Sequence, residues 1–118
     1  DTLSLHDALP ICAAIYQSSA PKFDCSKKTV LQAFHILNNF DIPTGIQFAE
    51  GTVIPDIPSA TQWTVASDLS KLCIYYRTMH NANIRCFDLN TIDFEKVQFQ
   101  SEPLDAEKHQ PIEMVNVK

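Results

Sequence analysis

With 118 residues, 45% of them hydrophobic and 19% charged, the chain has the composition of a globular protein and length for at most one domain. Its 14 acidic residues outweigh its 9 basic ones for a net charge of −5. The only arginines, Arg77 and Arg85, stand among scattered lysines, so the clustered basic face that nucleic acid requires is missing, and no apolar run approaches a membrane-spanning length.

In chain order, residues Thr2 to Ile11 read TLSLHDALPI. They back-translate as ACT CTT TCC CTA CAC GAC GCT CTT CCG ATC, a short-read sequencing adapter whose one further T would begin the codon of Cys12. Asp1 fits the codon just before. Residues 1–11 are therefore expected to be an assembly artefact and are set apart from fold reasoning, as a tag would be. A signal peptide built on Leu3, Leu5, Leu9 and Ile11 fails, because His6 and Asp7 interrupt the apolar run and no basic segment precedes it. Residues 12–118 then carry 12 acidic against 9 basic side chains, net −3.

Ala13 to Ser18 reads as the tail of a helix or strand begun upstream, broken at Ala20-Pro21. Asp24 or Ser26 can cap a helix over Lys27 to Asn38, whose Val30, Ala33, Phe34 and Leu37 fall on one face at three-and-four spacing. Asn38-Asn39 offers a stop and Pro43 prevents resumption. His35 lies beside the apolar face and reads as a partly exposed polar residue, since no nucleophile is placed near it. Gly45 to Ile57 reads as a structured loop with a short extended piece at Ile46 to Phe48, and Pro55 and Pro58 keep it out of a sheet interior.

The densest run of strand formers follows. Thr61 to Ser67, Leu72 to Thr78 and Ile84 to Leu89 predict a three-stranded antiparallel meander over about 61–89, with turns at Asp68 to Lys71 and at Met79 to Asn83, where Asn81 and Asn83 tolerate left-handed backbone. Such a unit needs a cover for its apolar face. Trp63, Tyr75, Tyr76 and Phe87 could form a ligand-stacking cluster, but strand alternation favours core. Arg77 and Arg85 could clamp a carboxylate together, with surface pairing to Asp68, Asp88 or Asp93 as the default. Asn90 to Phe94 predicts a turn or a single helical turn, Val97 to Gln100 a further strand, and Ile112 to Val117 a final edge strand.

The cysteines are Cys12, Cys25, Cys73 and Cys86, with no C-x-x-C pair and no His at zinc-finger spacing, which argues against a metal site. Cys73 and Cys86 fall on adjacent strands. Opposite registration would permit a disulfide and a one-residue slip would forbid it, and small buried hydrophobes is the better reading.

The ordered series AFHILNNFDIPTGI, TQWT, IYYRT, IRCFDL and IDF resembles the carboxy-terminal part of the choloylglycine hydrolase family, over Ala13 to Phe94 and more weakly to the end. That family comprises linear amide carbon-nitrogen hydrolases such as conjugated bile acid hydrolases and penicillin V acylases. The resemblance implies an α+β fold, a fragment of the αββα sandwich of amino-terminal nucleophile (Ntn) hydrolases. It implies a cysteine at the mature amino terminus whose thiolate attacks the amide carbonyl, with its own α-amino group as base. The family's helpers, an Arg and an Asp soon after the nucleophile, mid-chain Asn residues and a further Arg, lie in segments upstream of those present here. No catalytic, cofactor-binding or metal-binding residue is therefore carried over. Cys12 does not qualify: it follows the expected artefact, is not at a terminus, and owes its identity to the adapter's T.

Residues 12–118 are thus expected to be the carboxy-terminal fragment of an amide hydrolase, inactive alone and insoluble or molten. The intact parent would act without a cofactor on a small-molecule amide, a bile acid conjugate or a penicillin V-like acyl amide. It would be a homo-oligomer with no nucleic-acid or membrane partner, periplasmic or cytoplasmic. The alternative is a small stand-alone β-rich ligand-binding or interaction module.

Overall fold

The computed structural model describes residues 5–46, 49–55, 59–110 and 112–117, and only the backbone path of 5–10. Two compact units divide the chain, Asp1–Ala60 and Thr61–Lys118. The architecture is α+β, two helices and a three-stranded antiparallel sheet, as expected of a fragment of an Ntn-hydrolase fold.

In the first unit, helix α1 runs Leu5–Ser19, passing through the boundary expected between 11 and 12 and ending at the expected break before Ala20-Pro21. Helix α2 runs Ser26–Leu37. Its cap differs from both candidates: Cys25 takes the N-cap position in extended backbone with no side-chain cap bond. The Cys25 carbonyl accepts from the Thr29 N–H at 3.1 Å and from the Thr29 hydroxyl at 3.2 Å. Val30 and Phe34 are buried, and Ala33, Ile36 and Leu37 half-buried along the same side, so the periodicity read from the sequence orients the helix. The stop at Asn38-Asn39 has a specific cause. Asn38–Phe40 tightens into a 3-10 turn, and the Asn39 amide Nδ2 donates to the carbonyls of His35 and Ile36 at 3.1 and 3.0 Å, satisfying acceptors that the helix end leaves open. Tyr16 of α1 joins this turn, its hydroxyl donating to Asn39 Oδ1 at 3.4 Å and its ring standing edge-on to Phe40 at 6.3 Å. Thr44 to Ile46 form a turn in which Gly45 adopts φ 94°, a left-handed geometry that favours glycine. Phe48 of the expected extended piece, Ile57, and Pro58 lie outside the described residues.

In the second unit, strands β1 (Trp63–Asp68), β2 (Cys73–Thr78) and β3 (Asn81–Asp88) form the expected meander in the order β1-β2-β3. Val65 faces Tyr76, Tyr75 faces both Ala66 and Cys86, and Ile74 faces Phe87. The first turn is held by Asp68, whose Oδ1 accepts from the Ser70 and Lys71 N–H groups at 3.1 and 3.0 Å. Its closing residue, Leu72, sits at φ 55°, a conformation that costs an L-residue with a Cβ roughly 1–2 kcal/mol. Leu72→Asn is expected to recover part of that, about 0.5–1 kcal/mol. The check is amide hydrogen exchange across β1 and β2, which should slow roughly two- to fivefold.

The second turn departs from expectation. Only Met79 and His80 lie between Thr78 and its partner Asn81, and neither Asn81 nor Asn83 adopts positive φ. The asparagines serve by hydrogen bonding instead: Asn81 N–H donates to Thr78 Oγ1 at 3.1 Å and Asn83 N–H to Asn81 Oδ1 at 3.0 Å. The register shifts between Tyr76 and Thr78, so β3 bulges there. After β3, Leu89–Thr91 makes the expected single turn, capped by Asp88 accepting from the Asn90 N–H at 3.0 Å. Val97 to Gln100 and the segment 112–117 form no strand, because among the described residues neither finds a pairing edge.

The core is where the sequence reading fails. Alternation holds, with Trp63, Val65, Ile74, Tyr76, Arg85 and Phe87 on one face and Ala66, Cys73, Tyr75, Arg77 and Cys86 on the other. Burial does not follow: Trp63 is 61% exposed, Phe87 47% and Val65 44%, and among the described residues Val30 and Phe34 are the buried hydrophobics. Trp63 and Phe87 are core by pattern and exposed in fact, while Tyr75 and Tyr76 are half-buried.

Candidate functional site

The most organised constellation of side chains lies on the bulged end of the β2–β3 hairpin. Thr78, the buried polar residue of the described set, is its hub. A hydroxyl has one proton and two lone pairs, and all three are engaged. The hydroxyl accepts from Asn81 N–H at 3.1 Å and from Arg85 Nη2 at 3.2 Å, and hydrogen-bonds the Asp105 carboxylate with its own proton. Arg85 Nη1 reaches Asp105 Oδ1 at 2.6 Å and the Leu104 carbonyl at 2.8 Å. The guanidinium lies over the Tyr76 ring, 4.6 Å from its centre, and Tyr76 stacks on Phe87 with centroids 4.9 Å apart and planes 9° from parallel. Hydrogen bonding from Thr78 first, and then the Arg85 guanidinium, hold the Asp105 carboxyl below its ordinary value against the opposing pull of partial desolvation. Arg85 Nε is buried with no hydrogen-bond partner among the described residues.

This arrangement is a latch. It draws residues 104–110 onto the hairpin, where Gln110 also receives the Ala82 N–H. An open cavity of about 220 Å³ remains between Asn81 and Arg85 on the hairpin and Asp105, Glu107 and His109 on the tail. His109 Nε2 and Glu107 Oε2 approach to 2.7 Å at the exposed rim. With two oxygens of the tail and the Thr78 hydroxyl around its fork, Arg85 grips its own chain. Replacing Asp105 by Asn should keep one hydrogen bond and lose the ion pair, a cost of about 1–2 kcal/mol for this half-buried pair, read as faster exchange at the Ala82 amide.

The remaining candidates are dispersed. Arg77 lies opposite Thr64, on the other face from Arg85, so the two arginines cannot share a carboxylate. The acidic partner of Arg85 is Asp105 and none of Asp68, Asp88 or Asp93. Tyr75 points to the face opposite Tyr76, which divides the supposed aromatic cluster. Cys12 is an exposed free thiol on α1 and His35 an exposed residue near the end of α2. Cys73 and Cys86 are free, half-buried and exposed respectively, so they are not the buried hydrophobes expected of them. Their registration is diagonal on one face, neither opposite nor on different faces. Among the described residues no three His, Cys, Asp or Glu side chains stand close enough to hold a metal ion, and no helix is long and apolar enough to cross a membrane. Thr78 and Asp105 escaped sequence reasoning: a threonine ending a strand is unremarked, and Asp105 sits 20 residues from Arg85 in a polar segment without periodicity.

Comparison with known proteins gives two positive findings. Residues 9–104 match the model of the linear amide C-N hydrolases, choloylglycine hydrolase family. Among solved structures, the chain is similar to a mutant of the conjugated bile acid hydrolase from Clostridium perfringens, at 26% identity and a TM-score of 0.55 over 87% of this chain. The match covers 28% of that protein's length. No curated protein matches.

Proposed function

The chain belongs to the choloylglycine hydrolase family of linear amide C-N hydrolases, and on that footing we propose that residues 12–118 are the carboxy-terminal part of an amide hydrolase whose nucleophilic cysteine lies in a segment this chain lacks. Its substrate class is a small linear amide, a bile acid conjugate or a penicillin V-like acyl amide. No residue here acts in catalysis. The observation that carries this reading is the uncovered sheet: Trp63, Val65 and Phe87 stand exposed on one face, as they would if the layer that normally covers them belonged to the rest of the domain. The 28% coverage of the bile acid hydrolase supports it from a separate direction. Residues 1–11 are, in the same reading, translated adapter.

The division of labour follows from these positions. The chain supplies a three-stranded sheet, two helices and the Arg85 latch, which holds the tail on the hairpin. Attack on the amide carbonyl, proton transfer to the leaving amine and oxyanion stabilisation are all assigned to the missing segment.

The test begins with the source DNA. Sequencing several hundred bases upstream of the Ala13 codon should reveal a continuing frame, with a cysteine after an initiator or a cleavable leader, and should replace the codons of residues 1–11. The extended protein should release glycine or taurine from conjugated bile acids, or phenoxyacetate from penicillin V, while the 118-residue chain does neither. A start codon directly before Ala13, or amidase activity from the short chain alone, would sink the proposal. The first of those results would favour a stand-alone module using the exposed Trp63 and Phe87 face to bind a ligand.

A further inference from the structure

We propose that Cys73 and Cys86 form a modification site, a vicinal dithiol on the β2–β3 hairpin that a small-molecule disulfide such as oxidised glutathione converts to a cross-strand bridge. The register gives the geometry. Cys86 lies opposite Tyr75, and Cys73 opposite Asp88, so the two cysteines are diagonal neighbours on the same face of adjacent strands. Diagonal pairs stand roughly 7–8 Å apart, with Cβ atoms somewhat closer, against an upper limit of about 6.8 Å between the Cα atoms of a bridged pair. The side chains close part of the difference: Cys73 stands near enough to shift the Cys86 thiol, and its own Sγ, which donates to the Lys71 carbonyl at 3.6 Å, has to turn from that carbonyl toward Cys86. The rest requires a small inward movement of β3. As an edge strand, β3 has its second side unpaired within this sheet and can make that movement without disturbing a further ladder.

Access and reactivity fall to different members of the pair. Cys86 is exposed and meets the reagent first, while half-buried Cys73 is placed to resolve the product. Cys86 loses its proton to solvent, and its thiolate attacks one sulfur of oxidised glutathione, breaking that S–S bond and releasing one glutathione thiol. Cys73, deprotonated in turn, attacks the Cys86 sulfur of the mixed disulfide and expels the second glutathione. Two protein thiols are oxidised, one glutathione disulfide is reduced to two thiols, and the two protons end on those products. The groups facing the pair are Tyr75, Asp88 and, across from Cys73, Asp68. Partial desolvation first, then the Cys73 sulfur, which favours the protonated Cys86 thiol as a donor, push the Cys86 thiol up. A thiol of that kind is little ionised and attacks slowly, so the bridge forms slowly, and with Cys86 exposed and the Cα atoms at the long end of the range it stays open to reduction once made.

The test uses whichever form of the protein melts cooperatively, the 118-residue chain or its upstream extension, incubated with oxidised glutathione without denaturant, alkylated and digested with trypsin. Cleavage after Lys71, Arg77, Arg85 and Lys96 isolates Cys73 in the peptide 72–77 and Cys86 in 86–96. A linked pair of these two peptides, two hydrogens lighter than their sum, should be the dominant product. It should vanish in Cys73→Ser, leaving glutathione on Cys86, and should persist when Cys12 and Cys25 are both replaced by Ser. Glutathione retained on Cys86 in the unmodified chain would overturn the proposal. So would bridges spread over all four cysteines in the same pattern that the chain gives in urea.

Discussion

The 118-residue chain on its own is expected to unfold without a sharp transition and to bind a hydrophobic dye strongly in buffer. A cooperative domain needs the apolar face of its sheet and the apolar stripe of its helices buried. Here Trp63, Val65 and Phe87 retain between 44% and 61% of their exposure, and two hydrophobic side chains among the described residues are buried. Fully burying a large apolar side chain is worth about 1.5–3 kcal/mol, so leaving three about half uncovered forfeits roughly 2–5 kcal/mol, a large share of the net stability of many domains, about 5–15 kcal/mol. Far-ultraviolet dichroism should show helix and strand, near-ultraviolet dichroism little, and the calorimetric endotherm should be broad or missing. The upstream-extended protein should instead melt in one transition with its dye binding lost. A sharp endotherm from purified 118-residue chain would defeat this expectation.

Thr78→Val should be the most damaging single substitution on the sheet, at about 2–4 kcal/mol, measured by urea denaturation in the form of the protein that melts cooperatively. Valine keeps the shape and removes the hydroxyl, which strands the Asn81 N–H and takes one partner each from Arg85 Nη2, left with the Asn81 carbonyl at 3.5 Å, and from the Asp105 carboxylate, left with Arg85 Nη1. Each buried group so abandoned costs about 1–3 kcal/mol, less where water can enter. Thr78→Ser, which restores the hydroxyl, should recover most of the loss, whereas a mere packing role for Thr78 would leave serine as poor as valine or worse.

The same latch carries an acid dependence with a definite sign. The Asp105 carboxyl ionises more readily in the fold than its ordinary 3.8. Its contribution is therefore complete above the ordinary carboxylate range and disappears as pH falls through the lower, folded value. In Thr78→Val the Asp105 carboxyl should move back up, so that the tail detaches at a higher pH than in the parent chain.

Local chemistry was legible and distant chemistry was not. The α2 face follows from Val30 and Phe34 four residues apart, and the meander follows from three alternating runs with Asp68 and the Asn81 region between them. These are short-range signals, carried within a turn or a strand pair. The exact hairpin was harder, because Asn81 and Asn83 invite a left-handed turn and are used instead as hydrogen-bonding side chains on a bulge. Asp105 was invisible because the partner of Arg85 is fixed by the path of an irregular tail, which no periodicity encodes. The aromatic faces misled most: alternation states which residues share a side, and says nothing of whether anything lies against it.

The exposed position of Trp63 on β1 has an optical consequence. It is the sole tryptophan, and at 61% exposure its indole looks into water. Its emission should therefore lie at the red, quenchable end of the range in the isolated chain. It should move to shorter wavelength, shielded from iodide, whenever that face is covered by other parts of a longer protein. In the 118-residue chain this one indole, already in place, thus reports without a label whether that face is covered.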